Sequence, residues 1–183
     1  MTVPELRTAR LQLRALRTSD ADGLHDALGH REVTRYLSDV PPSRERTRMI
    51  IDNLCAASYP TGMGHWVWQD RATGALVGRG YLVPSPVDPG GRPEIGWFLG
   101  QRWWGTGLAG EACLAILRYA YVALAVPAVI ARVHPDNEAS LRLAQRLGFT
   151  GREPLGDAAN PRLLMVAPRR SDPGRGYPVG RSG

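Results

Sequence analysis

The chain has 183 residues, 43% of them hydrophobic, and a formal net charge of +6, which suits one domain around a single core. No apolar run approaches the ~20 residues of a membrane span, and the opening MTVPELRTARLQLR lacks the continuous apolar stretch of a signal peptide. All 23 basic residues are arginine, scattered from Arg7 to Arg181 without a dense run or interleaved aromatics, so no nucleic-acid partner is expected.

Cys55 and Cys113 form no motif together and fit a reducing compartment, so the expected location is cytoplasmic. His25, His30 and His65 have no partners at metal-ligand spacing, and no metal is expected. His134, just before Pro135, reads as a solvated or packed residue.

Residues 1–9 read as a lead-in. Over 10–16, Leu11 and Leu13 alternate with polar neighbours at the period of a half-buried strand. Thr18, Ser19 and Asp20 offer N-cap chemistry for a helix through Leu24 and Leu28. A connector over 33–40 ends at Pro41-Pro42, after which Ser43 caps a second helix through Met49, Ile50 and Leu54. Gly62 and Gly64 precede a strand over 65–70 with Trp66 and Trp68 on one face. The turn 71–74 leads to its hairpin partner over 75–83. Residues 84–93 form a turn-rich loop whose one packing residue is Val87, and a strand over 94–99 follows.

The rest of the chain is organised around residues 101–112, QRWWGTGLAGEA. Gly105 and Gly107 stand directly ahead of a helix to about Tyr121, its register set by Leu108, Ala112, Ala115, Ile116 and Tyr119. A helix start carries free N–H groups and the positive end of the macrodipole, and glycines let the backbone close on an anion. Together these features make a phosphate or pyrophosphate cradle.

Beyond it come a strand over 129–133 and a helix capped by Asp136 or Asn137, with Ser140, Leu143, Ala144 and Leu147 on one face. Gly148 sits at the C′ position of that helix. Strands beginning at Phe149 and spanning 163–166 complete the pattern. Residues 168–183, rich in Gly, Pro and Arg, are expected to form a disordered basic tail. Interleaved strands and helices around one mixed sheet give an α/β or α+β class.

GTGLAG also spells the dinucleotide fingerprint G-x-G-x-x-G, with Asp136 at a tolerable distance for its acidic partner. That motif needs its first glycine right after a strand, yet Gly100, Gln101, Arg102 and two tryptophans intervene here. The P-loop fails for want of any lysine. Read from Arg102, the stretch is R-x-x-G-x-G and resembles the acyl-CoA pyrophosphate loop of the GNAT superfamily of N-acetyltransferases. EIGWFL, QRWWGTGLAGEA and RVHPDNEASLRLAQRLGF look like three consecutive signatures of its RimJ/RimL-type branch. RLQLRALRTSDADGL resembles that branch's opening strand and helix, so the likeness runs over roughly 10–166.

The resemblance implies a single GNAT domain over 10–167, with a mixed central sheet flanked by helices and a splayed parallel pair, 94–99 and 129–133. The gap between those strands would admit the pantetheine arm of acetyl-CoA, and the first helices would form one wall of the acceptor cleft. The backbone of Arg102, Trp104, Gly105, Thr106, Gly107, Leu108 and Ala109 would hold the pyrophosphate. Freed groups near Trp97, Phe98 and Leu99 would pair with the arm, an N–H near Gly96 or Trp97 would face the thioester oxygen, and Asn137 and Ser140 would supply the N-x-x-S of the branch. Trp103 is either a core anchor or a cofactor contact, and Cys113 is expected in the core.

An amine with a pKa near 10 is almost wholly protonated at neutral pH, so the transfer needs a base or a water relay. By the resemblance that base is Glu94; the alternative is that Glu94 orders its strand or pairs with an arginine such as Arg92. Ser140 is the expected proton donor to the departing thiolate, since the tyrosine many such enzymes place seven positions after the asparagine is Ala144 here. Glu111 matches the family pattern too, but an acid early in a helix is also favoured by the dipole. The segment between Phe149 and Leu163 is compact, which implies a more open acceptor site.

The implied activity is acetyl-CoA-dependent N-acetyl transfer to a primary amine, a protein N-terminus or a small molecule, by direct attack in a ternary complex. Ala144 leaves open a non-catalytic acyl-CoA-binding sensor or interaction module. A homodimer through sheet edges or the tail is likewise left open.

Overall fold

The computed structural model describes residues 3–37, 42–88 and 90–169. Val40 and Pro41 of the expected connector, and the expected tail beyond residue 169, lie outside the described residues. The strands are β1 (Leu6–Arg7), β2 (Leu11–Ala15), β3 (Gly64–Asp70), β4 (Leu76–Pro84), β5 (Pro93–Leu99), β6 (Ala128–Val133), β7 (Thr150–Leu155) and β8 (Arg162–Pro168). They form one eight-stranded sheet in the order β1-β2-β3-β4-β5-β6-β8-β7. The helices are α1 (Ala21–Leu28), α2 (Arg31–Thr34), α3 (Arg44–Ala56), α4 (Leu108–Val122) and α5 (Glu138–Arg146).

From β1 to β5 the sheet is an antiparallel meander, as the hairpin signals predict. The crossover through α4 then makes β6 parallel to β5, and β8 enters between β6 and β7. The parallel pair meets at one register position, Glu94 opposite Ile130, and then parts. This is the expected splay. No helix among the described residues is long and apolar enough to cross a membrane.

Strand alternation divides the core between the two faces of the sheet. Trp66 and Trp68, fully buried, join Leu108, Ala112, Cys113, Ile116 and Leu117 of α4 in the larger cluster. The Trp66 ring meets Tyr119 edge-on, with centroids 6.0 Å apart. Burial in that cluster pushes the Cys113 thiol pKa up, consistent with a core role. Val67, between the two tryptophans, points the other way and packs on Ala21, Leu24 and Ile51 beneath α1 and α3. The second face is thinly covered, which leaves room there for cavities.

Local signals at the helix ends hold where a side chain caps its own helix. Ser43 accepts from the Arg46 N–H at 3.1 Å, and Asn137 accepts from the Ser140 N–H at 3.1 Å. Asp20 differs from its expected capping role. Residues Thr18–Asp20 form a 3₁₀ turn, and the Asp20 side chain makes no cap bond to α1. It accepts instead from the Arg14 guanidinium at 2.8 and 2.7 Å and from the Arg17 N–H at 2.9 Å. A buried carboxylate is better satisfied by a bidentate guanidinium than by a neutral amide, and β2 presents one.

Two further expectations are corrected. Residues 31–34 of the chain form the short helix α2, extending into the expected connector. In the 84–93 loop Asp88 is buried, accepting from the Arg92 N–H at 2.7 Å and binding its guanidinium, while Val87 stays only partly buried.

Asp20→Asn removes a charge from a pair whose carboxylate is 5% exposed, and Arg14 is left without its counter-ion. Urea unfolding should show a loss of about 2 kcal/mol, reduced from the fully buried case because Arg14 keeps some solvent contact. A loss within about 0.5 kcal/mol would mean that the pair behaves as a surface salt bridge.

Candidate active site

The glycine loop occupies the far end of β5. Residues Gln101–Trp103 form a 3₁₀ turn, and Gly105 and Gly107 take φ values of +76° and +82°. Only glycine adopts that region without strain, and it turns the chain so that α4 starts at Leu108. Among the described residues no hydrogen bond takes up the N–H groups from Gly105 to Gly110, which lie at the positive end of a 15-residue helix. A Cβ built on Gly105 would meet no protein atom within 4 Å. The space over the loop is open, and a phosphate fits it.

Neighbouring residues fasten this loop. The Trp104 indole N–H donates to the Leu99 carbonyl at 2.8 Å, while the ring stays 47% exposed over the loop. Trp103 packs against the core with Arg102 above its ring, 5.0 Å from the centroid, so the anchor reading of Trp103 holds. Thr106 donates to the Trp103 carbonyl at 2.6 Å.

Arg10 reaches across from β2 and donates to the Thr106 carbonyl at 2.8 Å. Its N–H and Nε each donate to Glu111 at 2.8 Å, and the Thr8 hydroxyl adds a bond at 2.5 Å. Glu111 therefore ties the first hairpin to the loop. Burial opposes its ionisation, but the bonds from Thr8 and Arg10 outweigh that and hold its pKa below the usual range.

The gap between β5 and β6 holds a cavity of about 320 Å³ lined by Tyr81, Glu94, Gly96, Trp97, Arg132 and Ser140, among others. Phe98 and Asn137 line it as well. The Gly100 N–H donates to the Val77 carbonyl at 2.9 Å, which by antiparallel alternation makes Phe98 and Gly96 the hydrogen-bonded partners of Arg79 and Tyr81. The backbone of Trp97 therefore faces the gap. Phe98 is turned to β4, and the Leu99 carbonyl is already taken by Trp104. Of the three residues expected to offer free backbone groups, Trp97 is the one placed to do so on both counts.

Glu94 is 2% exposed. Its Oε1 accepts from the Tyr81 hydroxyl at 2.8 Å, and its Oε2 from Arg132 Nε at 2.8 Å and the Ser85 hydroxyl at 3.2 Å. The alternative pairing of Glu94 with an arginine thus occurs, but the partner is Arg132, because Arg92 binds Asp88. Burial, then the Glu94 charge, push the Tyr81 phenol pKa far above its usual value. Tyr81 lies across Gly96, where any Cβ would overlap its ring.

On the opposite wall, the Ser140 hydroxyl accepts from the Trp97 indole N–H at 3.2 Å, which leaves its own proton free to be given away. Ala144 is fully buried, so its position faces the core and not the cleft. His134 accepts the Asp136 N–H at 3.1 Å and packs beside Tyr36, the packed role expected of it.

Asn160 and Arg162, at the tip of the β7–β8 hairpin, also line the cavity, and Arg162 donates to the Tyr36 carbonyl at 3.1 Å. The compact segment between Phe149 and Leu163 thus supplies part of the cavity wall. Tyr81, Arg79, Arg132 and Arg162 were not singled out from the sequence. One signal was present: GRGY over 78–81 alternates glycine with Arg79 and Tyr81, which puts both polar side chains on one face of a strand.

The family model for the acetyltransferase (GNAT) domain matches residues 10–150. The chain belongs to the GNAT acetyltransferase family. It is 32% identical over 150 residues to the uncharacterized N-acetyltransferase p20 of Bacillus licheniformis, covering 79% of this chain and 81% of that protein. A GNAT-family acetyltransferase from Bacillus anthracis shares the fold at a TM-score of 0.77 and 19% identity, over 90% of this chain and 98% of that one. RimL, a ribosomal L7/L12 alpha-N-protein acetyltransferase in complex with coenzyme A, matches at a TM-score of 0.75 and 18% identity, over 92% of this chain and 100% of its own. The family match bears out the expected fold and enzyme class, and it displaces the dinucleotide reading of GTGLAG.

Because the folded pKa of Glu111 lies below its unfolded value, near 4.3, its tie to the loop contributes stability above that pH. The contribution is lost as pH falls through the folded value. The melting temperature of Glu111→Gln should therefore fall short of wild type at pH 7, with the difference shrinking below about pH 4. A difference that stays constant from pH 7 to pH 3 would remove the carboxylate charge from the loop's support.

Proposed function

We propose that this protein transfers an acetyl group from acetyl-CoA to a primary amine by direct attack in a ternary complex. The observation that carries this reading is what β5 joins. It lines the cavity that holds Glu94, Tyr81 and, opposite them, Ser140, and it runs directly into the loop whose N–H groups at the start of α4 are uncommitted. Acetyl-CoA, when bound, supplies an acyl thioester open to attack by nitrogen.

The N–H groups of Gly105 through Ala109 hold the pyrophosphate, flanked by Arg102 and Trp104. The backbone of Trp97 pairs with the pantetheine amides, Asn137 fixes the start of α5, and the Trp97 indole aims Ser140. Both Glu94 oxygens already accept bonds, so Glu94 acts through Tyr81. The ammonium gives its proton to the Tyr81 oxygen while Tyr81 passes its own to Glu94 Oε1, and its raised pKa keeps the phenol protonated between turnovers. The N–C bond forms as the C–S bond breaks. Ser140 gives its proton to the departing sulfur and takes in its place the second proton that the nitrogen loses on becoming an amide, while the proton on Glu94 returns to solvent through Tyr81. Arg132 holds Glu94 in place throughout.

The ordered segments EIGWFL, QRWWGTGLAGEA and RVHPDNEASLRLAQRLGF, and the fold in common with RimL, support membership of the RimJ/RimL-type branch. Cys55 and Cys113 are not joined to each other, which agrees with a cytoplasmic location.

Calorimetry should give micromolar acetyl-CoA binding, and amines should release free thiol from it. Gly105→Ala places a methyl where the phosphate sits and costs about 1 kcal/mol of backbone strain. Acetyl-CoA affinity should fall about tenfold or more, beyond what that strain explains. Tyr81→Phe, Glu94→Gln and Ser140→Ala should each lower kcat by about 10²-fold with acetyl-CoA affinity nearly unchanged. Binding without thiol release from any amine would favour the non-catalytic acyl-CoA module. No binding at all would defeat both readings.

A further inference from the structure

Beside the β5–β6 gap lies a second, open-sided cavity of about 670 Å³, walled by α1, α2, α3, β4 and Phe98 of β5. Its walls are largely apolar, with Leu24, Leu28, Val33, Ile50 and Ile51 among them. Leu37 and Phe98 wall both cavities, so the two adjoin. Its size is that of a small-molecule site.

One charged group reaches this cavity from the sheet. Arg79 holds its guanidinium 4.0 Å over the Phe98 ring. Arg10, Arg14, Arg92 and Arg132 each bind a carboxylate. Arg79, partly buried as Arg14 and Arg92 are, has no carboxylate and no hydrogen-bond acceptor among the described residues. Burial pushes its pKa down to about 10, which leaves it charged at neutral pH. A partly desolvated cation without a counter-ion is costly, and one aromatic face offsets only part of that cost. Among the described residues lining the two cavities, Glu94 is the one carboxylate, bound by Arg132, against four arginines: Arg132 and Arg162 in its own cavity, Arg46 and Arg79 in the other. The helix-walled cavity has no anion for Arg79 among the described residues.

Register places that missing anion beside the chemistry. Arg79 stands opposite Phe98, and Tyr81 stands opposite Gly96. The two side chains leave the same face of β4 one strand repeat apart, about 7 Å. An anion on Arg79 thus sits a few bonds from an amine at Tyr81.

We infer that the acceptor is a small amine carrying its own carboxylate and an apolar side group, of the amino-acid class. The carboxylate pairs with Arg79, the apolar group fills the helix-walled cavity, and the amine turns towards Tyr81 and the gap. This deepens the acetyl-transfer reading above and rests on it for turnover, though not for binding.

The test compares leucine, methionine and phenylalanine, each with its carboxamide and its decarboxylated amine. Thiol release from acetyl-CoA is measured with wild type, Arg79→Gln and Arg79→Lys. A charge-assisted bond to the carboxylate should raise kcat/KM for the amino acid about 10- to 100-fold over its amide and amine. Arg79→Gln should erase that preference through KM, leaving the amines' kcat/KM and acetyl-CoA affinity unchanged, and Arg79→Lys should keep part of it. Equal or better rates with amides, amines or a peptide bearing the same first residue would overturn the inference in wild type alone, even if the variants fold poorly. If nothing is acetylated, calorimetry of the same compounds with the CoA-loaded protein decides separately. Carboxylate-selective binding that Arg79→Gln removes upholds this site while the acetyl-transfer reading fails, and binding without selectivity, or no binding, overturns it.

Discussion

Parallel strands β5 and β6 meet at Glu94 and Ile130 and then separate, and the rest of the site depends on that separation. A strand edge that lacks a partner must find one elsewhere, because unpaired backbone groups are costly when buried and useful when a ligand can take them up. Here the edge that β6 abandons carries Trp97. The α4 crossover brings the glycine loop to the same end of β5, and the α5 start brings Ser140 to the facing wall. The cleft is a consequence of pairing that stops.

The two faces of the sheet do different work because of the same alternation. One buries Trp66 and Trp68 against α4 in a dry core. The other carries Arg79, Tyr81 and Glu94, and the light covering by α1 and α3 leaves cavities over them. Buried charge is tolerated there through pairing: Glu94 is held by Arg132, Tyr81 and Ser85, and Asp20 by Arg14. Gly96 has a steric role in this arrangement, since a side chain there would displace the Tyr81 ring that reaches Glu94.

Stability and function meet at the glycine loop. Free N–H groups at a helix start need an anion or water, so the loop cannot satisfy itself and must be held from outside. Arg10 does so through the Thr106 carbonyl, and Glu111 fixes Arg10 in turn. A residue read from sequence as a dipole-favoured acid proves to be the tie between the first hairpin and the loop.

Sequence by itself determined what is settled within a few residues. Gly105 and Gly107 ahead of an apolar helical stripe imply free amides, Ser43 and one of Asp136 and Asn137 are expected to cap their own helices, and the tryptophan strand with its turn implies a hairpin. These depend on bonds spanning three or four positions, and the structure has them. The tertiary structure alone decided who meets whom across strands. Glu94 finds Arg132, 38 residues away, in preference to the nearby Arg92, which Asp88 holds. Asp20 turns from its helix to Arg14, and Arg79 faces a cavity that has no acid among the described residues. Such pairings follow from register and from which face a strand presents. A shift of one residue in either reverses them, so no local pattern could have encoded them.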